Sequence, residues 1–222
     1  MRKEMYLIRG TGKENYNEYK SRIFKLADEA VKEIRLDALR LVLTESPAPV
    51  ISVIPFKKDK VTVISVYKES PEPVDLFIKS EGFSGAFGVE EAIPVSFERT
   101  WPLGTPSPGV CLLTLFHRKP GIEKATFLDR WHNSHTPLTL KIHPIYSYNR
   151  NVVKEKLTDH PAWYDGIVEE QTRTRSELLN PFKFFGGPFR MFPNMIAVYT
   201  DTKSFLDYKK IETYLTAEYQ VV

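Results

Sequence analysis

The chain has 222 residues, 42% hydrophobic and 27% charged, with a formal net charge of +3 from 31 basic and 28 acidic side chains. This composition is ordinary for a folded protein and excludes extended disorder. The basic residues are scattered and form no stripe for nucleic acid, and no stretch has signal-peptide or membrane-span character, so a cytoplasmic protein without nucleic-acid or membrane partners is expected.

From the N-terminus, Met5 to Arg9 is expected as a short strand and Asn15 to Ile34 as a helix, because Tyr16, Tyr19, Ile23, Leu26, Ala27, Ala30 and Ile34 recur at spacings of three and four. Ala38 to Thr44 and Lys60 to Tyr67 follow as strands, with the turn-prone Ser46-Pro-Ala-Pro49 after the first. Pro73 to Ser80 fits a short helix and Ala92 to Arg99 a closing strand. Between them, Gly82-Phe-Ser-Gly85-Ala-Phe-Gly88 lacks the Gly-Lys-Ser/Thr ending of a phosphate loop and puts phenylalanine where open amides are needed, so no nucleotide is expected there.

Trp101 to Gly109 contains Pro102, Pro106 and Pro108 together with Gly104 and Gly109, and is expected to be an extended connector dividing the chain into 1–104 and 105–222. Beyond it, Val110 to Arg118 is a nearly continuous apolar strand, Lys119-Pro-Gly121 a turn, and Ile122 to about His135 a helix. Ile145 to Val153 and Tyr164 to Gln171 are the next strands, Ile196 to Leu206 a helical segment, and Ile211 to Val222 the last strand. Each half therefore reads βαββαβ, an antiparallel sheet with helices on one side. The free apolar face of each sheet needs a partner, and the sister sheet is the simplest one. Two sheets packed face to face would leave room between them for a small apolar ligand. Cys111, the single cysteine, lies in an apolar strand, where burial should raise its thiol pKa and make it inert.

Leu112-Leu-Thr-Leu-Phe-His-Arg118-Lys-Pro-Gly-Ile-Glu-Lys-Ala-Thr-Phe127-Leu-Asp-Arg-Trp131-His-Asn-Ser-His135-Thr-Pro-Leu138 resembles the opening of an EthD-type domain. Downstream, Tyr148-Asn-Arg150-Asn151, Tyr164-Asp165-Gly166-Ile-Val-Glu169 and Phe205-Leu-Asp207 are similar to later segments of the same family, so the resemblance covers roughly 110–222. It implies the dimeric α+β barrel superfamily of ferredoxin-like βαββαβ units. The fold class expected is thus α+β, two tandem ferredoxin-like repeats whose antiparallel sheets pack as an intrachain barrel, the first half being a degenerate repeat that closes the barrel in place of a second subunit. Where the family usually keeps an apolar and aromatic run after Asp-Gly-x-x-Glu, this chain has Glu170-Gln171-Thr172. The first half has no Trp-x-x-x-His.

His135 lies just before Pro137, where a helix end would favour imidazolium, and is the expected general acid or base; the bland alternative is a histidine capping its own helix. Trp131, one helical turn earlier, is either an apolar wall beside it or a core aromatic. Tyr148 and Arg150 share one strand face, suited to donating to a carbonyl or enolate and to holding a carboxylate or phenolate, or they are simply an ordinary half-buried strand edge. Asp165 and Glu169 share a face by parity, and either could orient His135, with Asn151 beside them in the expected site. Asp129, His132 and His135, with His143 or His160 more distant, form a series that could ligate a metal, but the spacing matches no zinc signature and no metal is expected. Phe185 belongs to the aromatic Phe182 to Phe192 segment, either a plug at one end of a core or a lid hinged at Gly186 and Gly187.

These readings converge on an apolar or aromatic small-molecule ligand. Catalytic residues would be His135, Tyr148 and Asp165; substrate contacts would be Trp131, Arg150, Asn151, Glu169 and Phe185. Relatives in the superfamily imply cofactor-independent cyclisation, isomerisation, dehydration or oxygenation of aromatic, polyketide-like or ether-type compounds. A ligand-binding accessory to a partner oxidase and a metal-dependent enzyme are the alternatives. The chain is expected either as a monomeric pseudo-dimer or as a homodimer.

Overall fold

In the computed structural model, which describes residues 2–222, eight antiparallel strands close into one barrel. The first half supplies β1 (Arg2–Arg9), α1 (Tyr16–Glu33), β2 (Ala38–Leu43), β3 (Val61–Lys68), α2 (Asp75–Ile78) and β4 (Phe83–Val95). The second supplies β5 (Val110–Phe116), α3 (Lys124–Asp129), a π-helical segment (Arg130–His135), α4 (Thr136–Ile142), β6 (Ile145–Lys156), β7 (Gly166–Thr172), α5 (Arg175–Leu179), α6 (Pro181–Phe184), α7 (Met191–Phe205) and β8 (Glu212–Gln220). Around the ring the order is β1, β3, β2, β8, β5, β7, β6, β4. In each half the strands stand in the order fourth, first, third, second, and the two seams are β2 with β8 and β4 with β6.

Local sequence explains most of these elements. Asn15 caps α1 by accepting from the Asn17 and Glu18 amides, and the Glu18 side chain returns to the Asn15 amide, a capping box that satisfies otherwise orphaned donors. The buried stripe of α1, Tyr19, Ile23, Leu26, Ala27 and Ala30, lies on the outer face of the first-half sheet against Tyr6, Ile8, Leu41 and Ile64. Cys111 is buried, and desolvation raises its thiol pKa as its apolar strand implies. Among the described residues no helix is long and apolar enough to cross a membrane.

Three expectations need correction. β4 begins at Phe83 rather than Ala92, so the glycine-rich stretch is strand. Its glycines permit close approach: a Cβ on Gly88 would lie 2.8 Å from Glu155 Oε1, and one on Gly85 2.8 Å from the Phe87 ring. The helix of the second half does not stop at His135 but continues to Ile142. Pro137 has no amide and its ring would collide with the carbonyl one α-turn back; the preceding segment widens to i to i−5 pairing, Thr136 N–H donating to Trp131 C=O, and Pro137 falls in the tolerant first turn of α4. His135 therefore lies inside a continuous rod and not at a helix end.

The third correction concerns the space between the sheets, which is filled with side chains. An eight-stranded barrel is just wide enough for its own side chains. Met5, Leu7, Val42, Val63, Phe87, Leu113, Leu115, Val153 and Ile167 form an apolar layer. Above it lies a polar layer: Lys3 Nζ donates to Glu91 Oε1 and to Asn151 Oδ1, both at 2.7 Å, Tyr67 donates to the same Glu91 oxygen at 2.7 Å, and Arg40 pairs with Glu169. Burial first, and Arg40 second, pull the Lys3 ammonium down to about 8. Asn151 and Glu169, expected around a ligand, are buried structural members of this layer.

Candidate functional site

The inward and outward faces of the second-half sheet follow from strand parity. Leu113, Leu115, Ile167 and Glu169 point into the barrel, so Leu112, Thr114, Phe116, Tyr148, Val168 and Glu170 point outward. Over this outer face the rod from α3 to α4, α6 and α7 roof a cavity of about 470 Å³, a size suited to a drug-sized ligand. A first-half segment completes the cavity: Lys57 N–H donates to Thr213 C=O at 2.8 Å and Thr213 Oγ1 to Pro55 C=O at 2.9 Å, holding Val53, Ile54 and Pro55 against it. Exposed Val53, Ile196, Tyr199 and Tyr208 are also lining residues and form its mouth.

Four of the expected site residues reach this cavity: Trp131, His135, Tyr148 and Phe185. Trp131 is 1% exposed and meets Phe116 edge to face at 4.8 Å between centroids, so it is core and cavity wall at once. Burial first, then the Glu170 charge, push the Tyr148 phenol well up and keep it a donor through the neutral range. His135 Nδ1 lies 2.8 Å from Asp201 Oδ2 on α7, and Ser134 Oγ donates to Asp201 Oδ1 at 2.6 Å. Burial pushes the Asp201 carboxyl up, but the bonds from His135 and Ser134 outweigh it and hold the acid below its usual range. An ionised carboxylate can only accept, so His135 Nδ1 carries the proton, and among the described residues Nε2 makes no hydrogen bond.

The other expected residues lie elsewhere. Asp165 Oδ2 accepts from the Arg118 amide at 2.9 Å, beside a shallow surface hollow, and Asp201 occupies the orienting role anticipated for it. Arg150 donates to Thr136 Oγ1 at 2.9 Å and lies over the Trp131 ring at 5.8 Å, bracing the π-helical segment from outside the cavity. Among the described residues no group of three or more His, Cys, Asp or Glu side chains gathers as a metal site. The series Asp129, His132 and His135 is split, with Asp129 accepting from Asn133 at 2.8 Å and His135 turned to Asp201. In the aromatic segment, Phe184 and Phe185 are anchored in the cavity wall, whereas Phe182, Phe189 and Phe192 are exposed.

Two groups on the cavity wall carry chemistry that strand and helix patterns did not single out. Glu170 sits between Leu112 of β5 and Tyr148 of β6, with no hydrogen-bond partner in the protein, and desolvation alone raises it to about 7. His143 donates from Nδ1 to Phe184 C=O at 2.8 Å and stacks on that ring at 3.9 Å; burial pulls it down to about 4, so it is neutral.

Residues 119–183 match the EthD domain family. The match falls wholly within the second half of the chain. The matched segment runs from the turn after β5 through the Trp131 and His135 rod, β6 and β7 to α6, so it includes Tyr148, Glu170 and His143 as well. Asp201, on α7, lies beyond the matched segment. No curated protein matches the chain. Among solved structures, an anthrone oxidase-like protein is 11% identical with a TM-score of 0.59, the match covering 100% of this chain and 91% of that one. A candidate monooxygenase from Fusobacterium nucleatum subsp. nucleatum is 11% identical with a TM-score of 0.52, covering 100% and 92%. At this identity the likeness shows the fold alone, an α+β barrel like those of the dimeric α+β barrel neighbours.

Proposed function

We propose that this chain is a small-molecule enzyme of oxidation-related chemistry, acting on an apolar phenolic or carbonyl compound held in the cavity outside the barrel. The observation that carries the reading is the His135–Asp201 pair on the wall of a 470 Å³ apolar cavity within and beside an EthD domain. Asp201 fixes the tautomer, so the Nε2 lone pair of His135 is available to take a proton from a bound ligand. Tyr148, held protonated, is placed to donate to the oxygen on which charge then develops. The names of the two structural neighbours support oxidation as the reaction class. For an anthrone-type substrate, one dioxygen would convert the ring methylene to a carbonyl and release one water.

We also infer that 1–104 and 105–222 are tandem ferredoxin-like units whose seams imitate a dimer interface. The support is the same strand order in both halves and the reciprocal seams, fourth strand to second strand, on the two sides of the ring. The first unit would then serve as scaffold and supply the Val53 to Pro55 cover.

The test is oxygen uptake with product mass for a panel containing anthrone and 1-naphthol, with wild type and His135→Ala. The expected result is turnover of at least one member, reduced about 10²-fold or more in the variant with binding retained. No turnover across the panel, or equal turnover in the variant, would contradict the assignment.

A further inference from the structure

Glu170 is a partly buried carboxyl on the floor of an apolar cavity, flanked across the sheet by Leu112 and Tyr148, and among the described residues no donor reaches it. Buried acids normally have a hydrogen-bonding or cationic partner, because an unpaired charge away from water is costly. The titratable groups that face the same space are Tyr148 from β6, His135 from the π-helical segment, His143 at the end of α4, Tyr199 from α7, and Tyr208 before β8. None of them forms a bond to Glu170, and no Lys or Arg lines the cavity. Its carboxylate oxygens are thus free to accept from a donor that enters the cavity.

Resting on the reading of this cavity as a small-molecule site, we propose that Glu170 receives the acidic proton of the ligand, and so selects flat, neutral ring compounds bearing an ionisable hydroxyl or an enolisable carbonyl. In the transfer the ligand O–H or activated C–H bond breaks, the proton passes to a Glu170 carboxylate oxygen, and the bonding pair stays on the ligand as phenolate or enolate. One negative charge is exchanged for another, so the net charge of the apolar space does not change. An anionic ligand would put two negative charges together there, and an aprotic one would leave the carboxylate unpaired. Glu170 would act from the sheet floor and His135 from the helical wall, which gives a bound ring two proton-handling edges. The elevation of the Glu170 carboxyl to about 7 is in keeping with this role, since the acid then exchanges protons near neutrality.

Calorimetric titration with 1-naphthol and 1-methoxynaphthalene, at pH 8 and pH 5, tests the inference in wild type and Glu170→Gln. At pH 8 the wild type should bind the naphthol about tenfold or more tightly than its methyl ether, the discrimination expected of a charge-assisted hydrogen bond. That preference should shrink to within about twofold in wild type at pH 5 and in the variant at both pH values. The pH arm needs no variant, and the variant separates Glu170 from every other group on the cavity wall. Binding of both compounds with a preference that ignores pH and the substitution, or with no preference at all, overturns the role of Glu170 alone. If neither compound binds, the cavity is not a ligand site, and the reading beneath this inference falls with it.

Discussion

Asp201 Oδ2 and His135 Nδ1 lie 2.8 Å apart although one belongs to α7 and the other to the π-helical segment. The contact joins two helical elements over the same sheet face, so it orients the imidazole and also fastens the roof of the cavity. Asp201→Asn keeps the shape but puts a neutral amide, able to present a donor, opposite Nδ1. Conversion of anthrone should fall about 10²-fold, with 1-naphthol affinity within about threefold of wild type. Steady-state kinetics and calorimetry measure both, and unchanged conversion would remove Asp201 from the account.

Two buried cavity groups load the stability profile with opposite signs. His143 is lowered by burial from 6.5 to about 4, so between those values the unfolded chain binds the proton and stability falls as the solution is acidified. Glu170 is raised from 4.5 to about 7, so the folded chain holds the proton and stability falls as pH rises through that range. In the wild type the two slopes partly cancel. Glu170→Gln should stabilise the fold by about 1–3 kcal/mol at pH 8, read as a higher Tm, and leave it nearly unchanged at pH 5. Calorimetric scans at the two pH values decide it, and a variant less stable at pH 8 would contradict the burial of an unpaired acid.

His143→Gln should show the complementary behaviour, losing the acid-side decline between pH 6.5 and 4 relative to wild type. Urea midpoints across that range would report it. A decline as steep as that of wild type would mean that His143 is not held neutral by the Phe184 wall.

The firmest sequence patterns were those set by near neighbours. The three-and-four spacing through Tyr19, Ile23, Leu26 and Ala30, with Asn15 and Glu18 at the start, specifies α1 without help from the rest of the chain. Trp131 and His135 were likewise legible as companions on one helical stretch. Parity along β7 shows that Glu169 and Glu170 face opposite ways, but only barrel closure decides which way is inward, and closure depends on the seams of β2 with β8 and β4 with β6. Parity with Asp165 and the family-like segment at Asn151 therefore point to Glu169 and Asn151, which are barrel packing, and not to Glu170. Asp201 was hidden for a related reason: its partnership with His135 arises from helix packing and leaves no local spacing. The continuation of the rod past Pro137 was illegible because the register shift that accommodates proline is a tertiary choice.

Gly166 is the close-approach point that lets the edge-to-face pair of Phe116 and Trp131 pack down onto the sheet. A Cβ there would meet the Phe116 ring and Trp131 Cη2 at 2.6 Å. Gly166→Ala should therefore cost about 1–3 kcal/mol through overpacking, and should weaken naphthol binding because Trp131 is also cavity wall. Denaturant unfolding together with calorimetry tests this, and a stable variant with normal binding would show that the wall yields.

In the barrel, away from the lining of the outer cavity, Arg40 and Glu169 form an ion pair in which Glu169 is buried and Arg40 largely so. Glu169→Gln should destabilise by about 3–5 kcal/mol, and the double replacement Arg40→Met with Glu169→Leu should recover much of that loss, as expected when an uncompensated charge is the main penalty. A double-mutant cycle by urea unfolding measures the coupling. Additive losses would argue against the pair.

The most direct measurement is a crystal structure of the protein with 1-naphthol. Ring density is expected between Trp131, Tyr148 and Phe185, outside the barrel, with the hydroxyl at Glu170 or His135 Nε2. Density among Lys3, Asn151 and Glu169 inside the barrel, or only on the outer surface, would contradict it.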